Sequence, residues 1–477
     1  MSDQQDLYRR LERLNRLRRL GVRRGVRDLA AAPAATGASP ASTPATQATQ
    51  LPASSFEFPA SSLLPGAEVT TPFGPAWVRA ARYPLAERPD LAEWLTVQPA
   101  ALAALDRNDA LLRLEPAQVA FIDTETTGLS LGAGTYTFLI GVGTYENPVG
   151  LRDPQGLADP QGLGDFVVRQ FFMRNPAEER AQLHLVEEAL GRCTGIVSFN
   201  GRGFDMPLIN NRFVLAAMPP PLAGAPHLDL LPPARRLWKA RWGSCSLGNL
   251  ERNVLGFQRT AEDVPGYLIP DIYRQYYLTG VATEMLAHVF YHNLEDIASM
   301  VVLGARMARF FRPESPPEYP AELHPLEIWS LGRCYDALDW VEASIGAYRA
   351  ALDRAPGNPE LTQVLRELGY LYKRLERRDE AAGVWEDWIG TVAGADLTPY
   401  IELAKHHEWH TLDLAAARGW AAWALRIAEG WPPGPVRTEA LTDLRHRLER
   451  VARKLAGNIG ADDPTEIDAE SGALQTD

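Results

Sequence analysis

From residue 66 to 200 the apolar positions fall mainly in short unbroken runs; beyond that they fall mostly at helical spacing. Val119-Ala120-Phe121-Ile122 predicts a buried strand, and Thr137 to Gly143 predicts its hairpin partner. Between them, Leu131-Gly132-Ala133-Gly134-Thr135 reads as a glycine-rich turn. Phe166 to Phe172 predicts a third strand and Gly195 to Phe199 a fourth. Pro176-Ala177-Glu178-Glu179 opens a helix between these two, with proline and acids in the first turn, where they suit the helix dipole. Upstream, Gly66 to Tyr83 reads as β structure around a Phe73-Gly74-Pro75 turn, followed by helical stretches to about 115; this is a lead-in to the same domain. The remainder to 312 is expected to be mostly helical, including Thr283 to Phe310. Residues 66–312 therefore predict an α/β domain, a mixed sheet flanked by helices.

From residue 324 the pattern changes to paired helices. Leu331-Gly332, Tyr335, Ala347-Tyr348 and Ala351 recur 37 residues later as Leu368-Gly369, Tyr372, Val384-Trp385 and Trp388. A looser copy follows at an offset of 35, with Leu403-Ala404, His407, Gly419-Trp420 and Trp423. Small residues let paired helices approach, and large aromatics fill the groove between them. The spacing is close to the tetratricopeptide period of about 34, so 324–430 predicts an all-α, tetratricopeptide-like helical repeat domain. Stacked pairs of this kind present grooves suited to a protein partner.

Composition adds the flanks. Residues 1–29 set Leu7, Leu11, Leu14, Leu17 and Val22 among nine arginines, a basic amphipathic arm. It reads as a solvated arm or one lying on the protein itself; an arm for nucleic acid or an anionic surface is the sharper alternative. Residues 30–65, rich in Ala, Pro, Ser and Thr, read as a disordered linker, and 457–477 as an acidic disordered tail. The net charge of −12 does not by itself announce a nucleic-acid binder. Cys193, Cys245 and Cys334 lie far apart with no CxxC spacing, which argues against a disulfide framework or a zinc site and suits a reducing, cytoplasmic setting. No run of about 18 or more apolar residues appears, so no membrane span is expected.

Candidate chemistry begins with Asp123 and Glu125. Their i, i+2 spacing on a strand puts both carboxylates on one face. Such a pair is costly unless cations neutralise it, although a solvated strand end would also tolerate it. Asp205 follows a strand end and a glycine turn, Phe199-Asn200-Gly201-Arg202-Gly203-Phe204, where an N-cap is the commoner role. His292 and Asp296 share a face at i, i+4 in a helical stretch. The donors are all oxygen, which suits two divalent cations, Mg2+ or Mn2+.

The order Asp-x-Glu, Asp, His-x-x-x-Asp resembles the DEDD superfamily of 3′–5′ exonucleases. Further runs are similar to the YprB-like branch of the RNase H-like proteins: Asp-Thr-Glu-Thr-Thr-Gly-Leu at 123–129, Gly-Thr-Tyr-Thr-Phe-Leu-Ile-Gly-Val-Gly at 134–143, Arg-Gln-Phe-Phe at 169–172 and Phe-Asn-Gly-Arg-Gly-Phe-Asp at 199–205. So are His-Leu-Asp-Leu-Leu-Pro-Pro-Ala-Arg-Arg-Leu-Trp at 227–238, Cys-Ser-Leu-Gly-Asn-Leu-Glu at 245–251, Asp-Val-Pro-Gly at 263–266 and His-Asn-Leu-Glu-Asp at 292–296. The resemblance spans roughly residues 66–312 and implies an RNase H-like fold; a tetratricopeptide-like tail also occurs in that branch. It implies Asp123, Glu125, Asp205 and Asp296 as metal-binding acids and His292 as general base. Members with a histidine base usually place it five residues before the last Asp, and those with a tyrosine base four. Here His292 holds the shorter spacing and Tyr291 the longer, and on a continuous helix His292 shares the face of Asp296.

The expected activity is two-metal hydrolysis of single-stranded DNA or RNA ends, releasing nucleoside monophosphates. Candidate substrate contacts are Thr126 and Phe204 beside the acids, Gly134 in the glycine-rich turn, and Asn200, which either orients a terminal nucleotide or holds its own turn. Arg235 and Arg236 belong to a basic cluster with Lys239 and Arg241, interleaved with Trp238 and Trp242; this is either a single-strand contact or an amphipathic helix with a solvated basic face. Asp229 reads as a supporting acid or a helix cap. The competing class is a nucleic-acid-binding adaptor whose repeats recruit a protein partner.

Overall fold

A computed structural model describes residues 64–128, 134–147, 164–260, 263–312, 319–355, 357–392 and 396–456. The basic arm, the linker up to residue 63, residues 131–133 of the glycine-rich turn and the acidic tail lie outside the described residues. The described residues divide into two compact units, one within 1–235 and 244–315 and the other within 236–243 and 316–477.

The first unit is built on a seven-stranded sheet: β1 (Ala67–Thr71), β2 (Gly74–Pro84), β3 (Val119–Thr126), β4 (Thr137–Glu146), β5 (Asp165–Phe172), β6 (Gly195–Ser198) and β7 (His227–Asp229). Their order is β1-β2-β5-β4-β3-β6-β7. The pairs from β1 through β5 and β4 to β3 are antiparallel, whereas β3–β6 and β6–β7 are parallel. The expected mixed sheet is therefore present, and the lead-in hairpin extends it by pairing with β5. β7 lies in the stretch expected to be mostly helical; its three residues are too few to show a period.

Among the described residues before 316, the helices of eight residues or more are α1 (Pro99–Asp106), α2 (Glu179–Leu190), α3 (Asp205–Leu215), α4 (Leu231–Trp242, whose residues from 236 on belong to the second unit), α5 (Ile269–Thr279) and α6 (Glu284–Ala308). Ala120, Ile122, Ile140, Val142 and Phe171 pack against Leu183, Val186 and Leu190 of α2 and Ile209 and Phe213 of α3. Leu139 and Phe172 pack against Ile272 of α5 and Leu286, Val289 and Phe290 of α6. The central strands are thus covered on both sides, which explains their near-continuous apolar runs. The helical stretch after the lead-in strands is tied in as well. Trp94 is fully buried, and a Cβ built at Gly304 of α6 would lie 2.8 Å from its ring.

The second unit is helical: α7 (Pro325–Asp336), α8 (Val341–Arg354), α9 (Thr362–Arg374), α10 (Arg378–Thr391), α11 (Thr398–Trp409), α12 (Leu414–Glu429) and α13 (Pro435–Leu455). An all-helical region after the sheet domain is as expected. In the first two pairs, glycine faces an aromatic ring: a Cβ at Gly332 would sit 2.6 Å from Tyr348, and one at Gly369 2.1 Å from Trp385. The third pair departs from the expected pattern. Trp423 is half exposed, and the buried stripe of α12 is Ala417, Ala421, Ala424 and Ala428. Ala404 already carries a β-carbon where Gly369 has none, and Trp420, the counterpart of Trp385, is half-buried and lies 6.2 Å from the Tyr400 ring.

Gly369→Ala should therefore destabilise this unit by about 1–3 kcal/mol, the usual cost of overpacking. Gly383→Ala on α10, with open space around its Cβ position, should stabilise it by about 0.5–1 kcal/mol through helix propensity alone. Denaturant midpoints of the two variants shifting in the same direction would refute the interlock. Among the described residues no helix is long and apolar enough to cross a membrane.

Candidate active site

β3 and β6 run parallel, so their C-terminal ends reach the same edge of the sheet. The candidate acids collect there. Asp123 and Glu125 are half-buried and alternate with buried Thr124 and Thr126, so the two carboxylates share one face. β4 supplies Gly141 directly opposite Asp123 and Leu139 opposite Glu125, and the register slips just beyond, between Glu125 and Thr126. Gly141 lets α6 come close: a Cβ there would lie 2.3 Å from Asn293 Oδ1.

Asn293, fully buried on α6, orients the first acid. Its Nδ2 donates to Asp123 Oδ2 at 2.8 Å and to the Asp123 carbonyl at 3.2 Å. Asn293 Oδ1 accepts from Gln170 Nε2 at 2.9 Å, and Gln170 Oε1 accepts from Arg79 Nη1 at 3.1 Å. A chain of hydrogen-bonded side chains thus runs from β2 through β5 to Asp123. Sequence reading missed both amides; the available signal was a polar residue inside an otherwise apolar strand or helix face.

Asp205 is the first residue of α3, with Phe204 at the cap position. Its carboxylate accepts a short hydrogen bond from Thr124 Oγ1, which ties the second acidic element to β3. The turn before it is held by Asp229, whose carboxylate accepts from Asn200 N at 2.7 Å, Arg202 N at 3.1 Å and Leu231 N at 3.0 Å. Asp229 therefore organises a turn, and Asn200 sits in that turn with φ 69°.

α6 presents His292 and Asp296 one turn apart, with Nε2 3.6 Å from Oδ2. Tyr291 is buried, and its hydroxyl accepts from Thr260 N at 3.4 Å. Arg259, also missed, binds Asp296 Oδ1 and makes a two-point contact with buried Glu251, Nε to Oε2 at 2.7 Å and Nη2 to Oε1 at 2.5 Å. Its partners lie 8 and 37 residues away in the sequence, a separation that no periodicity reveals.

Electrostatics mark the cluster. Burial, then repulsion from Asp296 and Asp205, pushes the Asp123 carboxyl well above its ordinary value. Burial, then Asp123, Asp296 and Asp205, does the same to Glu125. Burial raises Asp205 to about 6 despite the hydrogen bond from Thr124. Burial alone would lower His292, but Asp296 and Asp263 outweigh it and raise it above the usual imidazole value.

Protein donors hold three of the four acids: Asn293 holds Asp123, Thr124 holds Asp205 and Arg259 holds Asp296. Among the described residues, no three His, Cys, Asp or Glu side chains are arranged to hold a metal ion as placed. In donor type and charge the four acids nevertheless fit a hard divalent cation, because they are all oxygen and repel one another.

The remaining candidates are spread more widely. Thr126 is buried and its hydroxyl donates to Gly128 O at 2.7 Å. Gly134 and Asn200 are exposed and Phe204 half-buried. On α4, Arg235 is exposed and Arg236 half-buried, but Trp238 is buried in the core and offers no stacking face. Arg241 donates to Glu327 at 2.6 Å and lies over Trp242. The basic helix thus fits the amphipathic reading at Trp238. Cys245 and Cys334 are buried and Cys193 half-buried.

A mixed sheet, an acid pair on its central strand and further acids on the helices beside it define an RNase H-like domain. The sequence pattern of the RNase_H superfamily matches residues 120–308, a nuclease-like class of nucleic-acid hydrolases. The chain is also 30% identical over 343 residues to the uncharacterized protein YprB of Bacillus subtilis (strain 168), covering 70% of this chain and 74% of that protein. The chain belongs to the YprB family within the RNase H superfamily.

Proposed function

We propose that this protein is a metal-dependent 3′–5′ exonuclease acting on single-stranded DNA or RNA ends and releasing nucleoside monophosphates. The observation that carries the reading is the convergence of Asp123, Glu125, Asp205 and Asp296, from one strand and two helices, into a group in which burial and the neighbouring acids push the Asp123, Glu125 and Asp205 carboxyls upward. These four acids would hold two Mg2+ or Mn2+ ions, which when bound supply Lewis-acid stabilisation of the phosphate and its leaving oxygen. Asn293 and Thr124 fix the rotamers of Asp123 and Asp205, so that the acids are oriented before substrate arrives. His292 Nε2 accepts the proton of the attacking water, and its place beside Asp296 favours it over Tyr291, whose hydroxyl is engaged by Thr260. Gly134, Asn200 and Phe204 are the proposed contacts to the terminal nucleotide, with Thr126 acting through backbone and Arg235 and Arg236 through phosphate.

The test is incubation of the full chain with 5′-labelled DNA and RNA oligonucleotides plus Mg2+ or Mn2+. The expected result is a ladder shortened stepwise from the 3′ end and lost in Asp205→Ala. No product on any oligonucleotide, or a ladder that survives Asp205→Ala, would sink the proposal; a single internal cut would replace it with an endonuclease. For the helical unit we propose a tetratricopeptide-like stack that recruits a protein partner, supported by the glycine–aromatic interlock of its first two pairs.

A further inference from the structure

A histidine base works only if the nitrogen facing the water carries no proton, so its other nitrogen must be held as N–H. In this site His292 Nδ1 lies 2.7 Å from Asp263 Oδ1, while Nε2 is the nitrogen near Asp296. Arg259 Nη1 also approaches Nδ1, at 3.1 Å, and Asp263 Oδ1, at 3.3 Å. The two neighbours make opposite demands. A carboxylate only accepts, so Asp263 requires N–H on Nδ1; a guanidinium only donates, so Arg259 requires a lone pair there. Distance and supply decide between them. The Asp263 contact is the shorter, and Arg259 already has acceptors in Glu251, Asp296 and Asp263 itself.

We propose that Asp263 is a positioning residue: it accepts the Nδ1 hydrogen of His292, fixes that tautomer and leaves the Nε2 lone pair on the side of Asp296. Glu251 assists by drawing the Arg259 guanidinium into its own two-point contact. Gly266 backs the ring, its Cβ position 3.9 Å from Nε2. The histidine lines a cleft of about 760 Å³ together with Asp296, Asp263 and Arg259. The inference rests on the reading of His292 as the base, and its test separates the two.

The full chain, labelled with 15N at its nine histidines, is studied by long-range 1H–15N correlation where the ring is neutral, with His292→Gln to assign the signal. The parent should show the proton on Nδ1. In Asp263→Ala, Arg259 becomes the neighbour of Nδ1 and the proton should move to Nε2. On a 5′-labelled oligonucleotide with Mn2+, Asp263→Ala should lose about 100-fold in kcat, the low end of what a positioned base contributes, with little change in KM. Asp263→Glu, which keeps the carboxylate, should recover part of that loss. A parent ring protonated on Nε2, or an Asp263→Ala variant that keeps both tautomer and kcat, would overturn the inference. If His292→Gln turns over as fast as the parent, the assignment of the base fails and this role for Asp263 fails with it. If the parent hydrolyses no oligonucleotide, the exonuclease reading fails and the tautomer measurement alone decides this inference.

Discussion

Asp123→Asn is expected to abolish hydrolysis of nucleic acid while leaving the melting temperature of the metal-free protein no lower than the parent's. The activity loss follows from the role proposed for the carboxylate. Transition-state charge stabilisation by a bound cation is worth several kcal/mol, so removing one anionic ligand should cost on the order of a thousandfold in rate. The stability expectation follows from the direction of the pKa shift. Burial and the neighbouring acids raise the Asp123 carboxyl well above its ordinary value. A carboxyl raised in the fold lowers stability above the ordinary carboxylate range, where the unfolded chain would ionise it freely. Asparagine has the same shape, removes that penalty at neutral pH and can still accept from Asn293 through its own oxygen. A third readout joins the two. A cation that binds the folded state at about a hundred times its Kd stabilises it by about 2.7 kcal/mol, so millimolar Mn2+ should raise the melting temperature of the parent and not of Asp123→Asn. Retained hydrolysis, or a metal-free variant that melts clearly below the parent, would remove Asp123 from the centre of the site.

How far the sequence could be read depended on whether the information was local. β3, β4, β5 and β6 were legible because strands covered on both faces become short apolar runs bounded by glycine, proline or charge. That the lead-in hairpin joins the same sheet was not legible, because β2 pairs with β5 across at least eighty intervening residues. The acids stood out for the opposite reason, as charge on an apolar strand. The groups that orient them did not. Asn293 and Gln170 are neutral amides, and what singles them out is the closed hydrogen-bond chain from Arg79 to Asp123, a property of three dimensions. Arg259 is equally silent in sequence, one arginine among many until Glu251, Asp263, His292 and Asp296 are seen around it. In the helical unit, the pairing of glycine with a large ring was legible in the first two helix pairs, whereas the buried alanine stripe of α12 was not, because alanine carries little positional information.

The second large effect is expected at a residue with no side chain. Gly141→Ala should destabilise the sheet domain by about 1–3 kcal/mol and reduce hydrolysis by far more than that loss of folded protein explains. The added Cβ would lie 2.3 Å from Asn293 Oδ1 and 2.4 Å from Ile297 Cδ1, so α6 must retreat from β4 to admit it. α6 carries Asn293, His292 and Asp296, and β3 beside it carries Asp123 and Glu125. One methyl group therefore parts the helix acids from the strand acids and breaks the hydrogen bond that orients Asp123. Gly143→Ala is the matched control. Its Cβ would press on Phe166 at 2.5 Å and on Ile297 at 2.6 Å, a similar packing insult with no direct contact to Asn293. Denaturant midpoints of the two variants should fall by similar amounts, while initial rates on a labelled oligonucleotide should fall much further for Gly141→Ala. Adding Asn293→Ala to Gly141→Ala removes the oxygen clash but leaves Ile297 in the way and Asp123 unheld, so the double variant should stay inactive and the two losses should not add. Equal loss of rate in Gly141→Ala and Gly143→Ala would mean that α6 supports the site only through general packing and that the Asn293 contact to Asp123 is incidental.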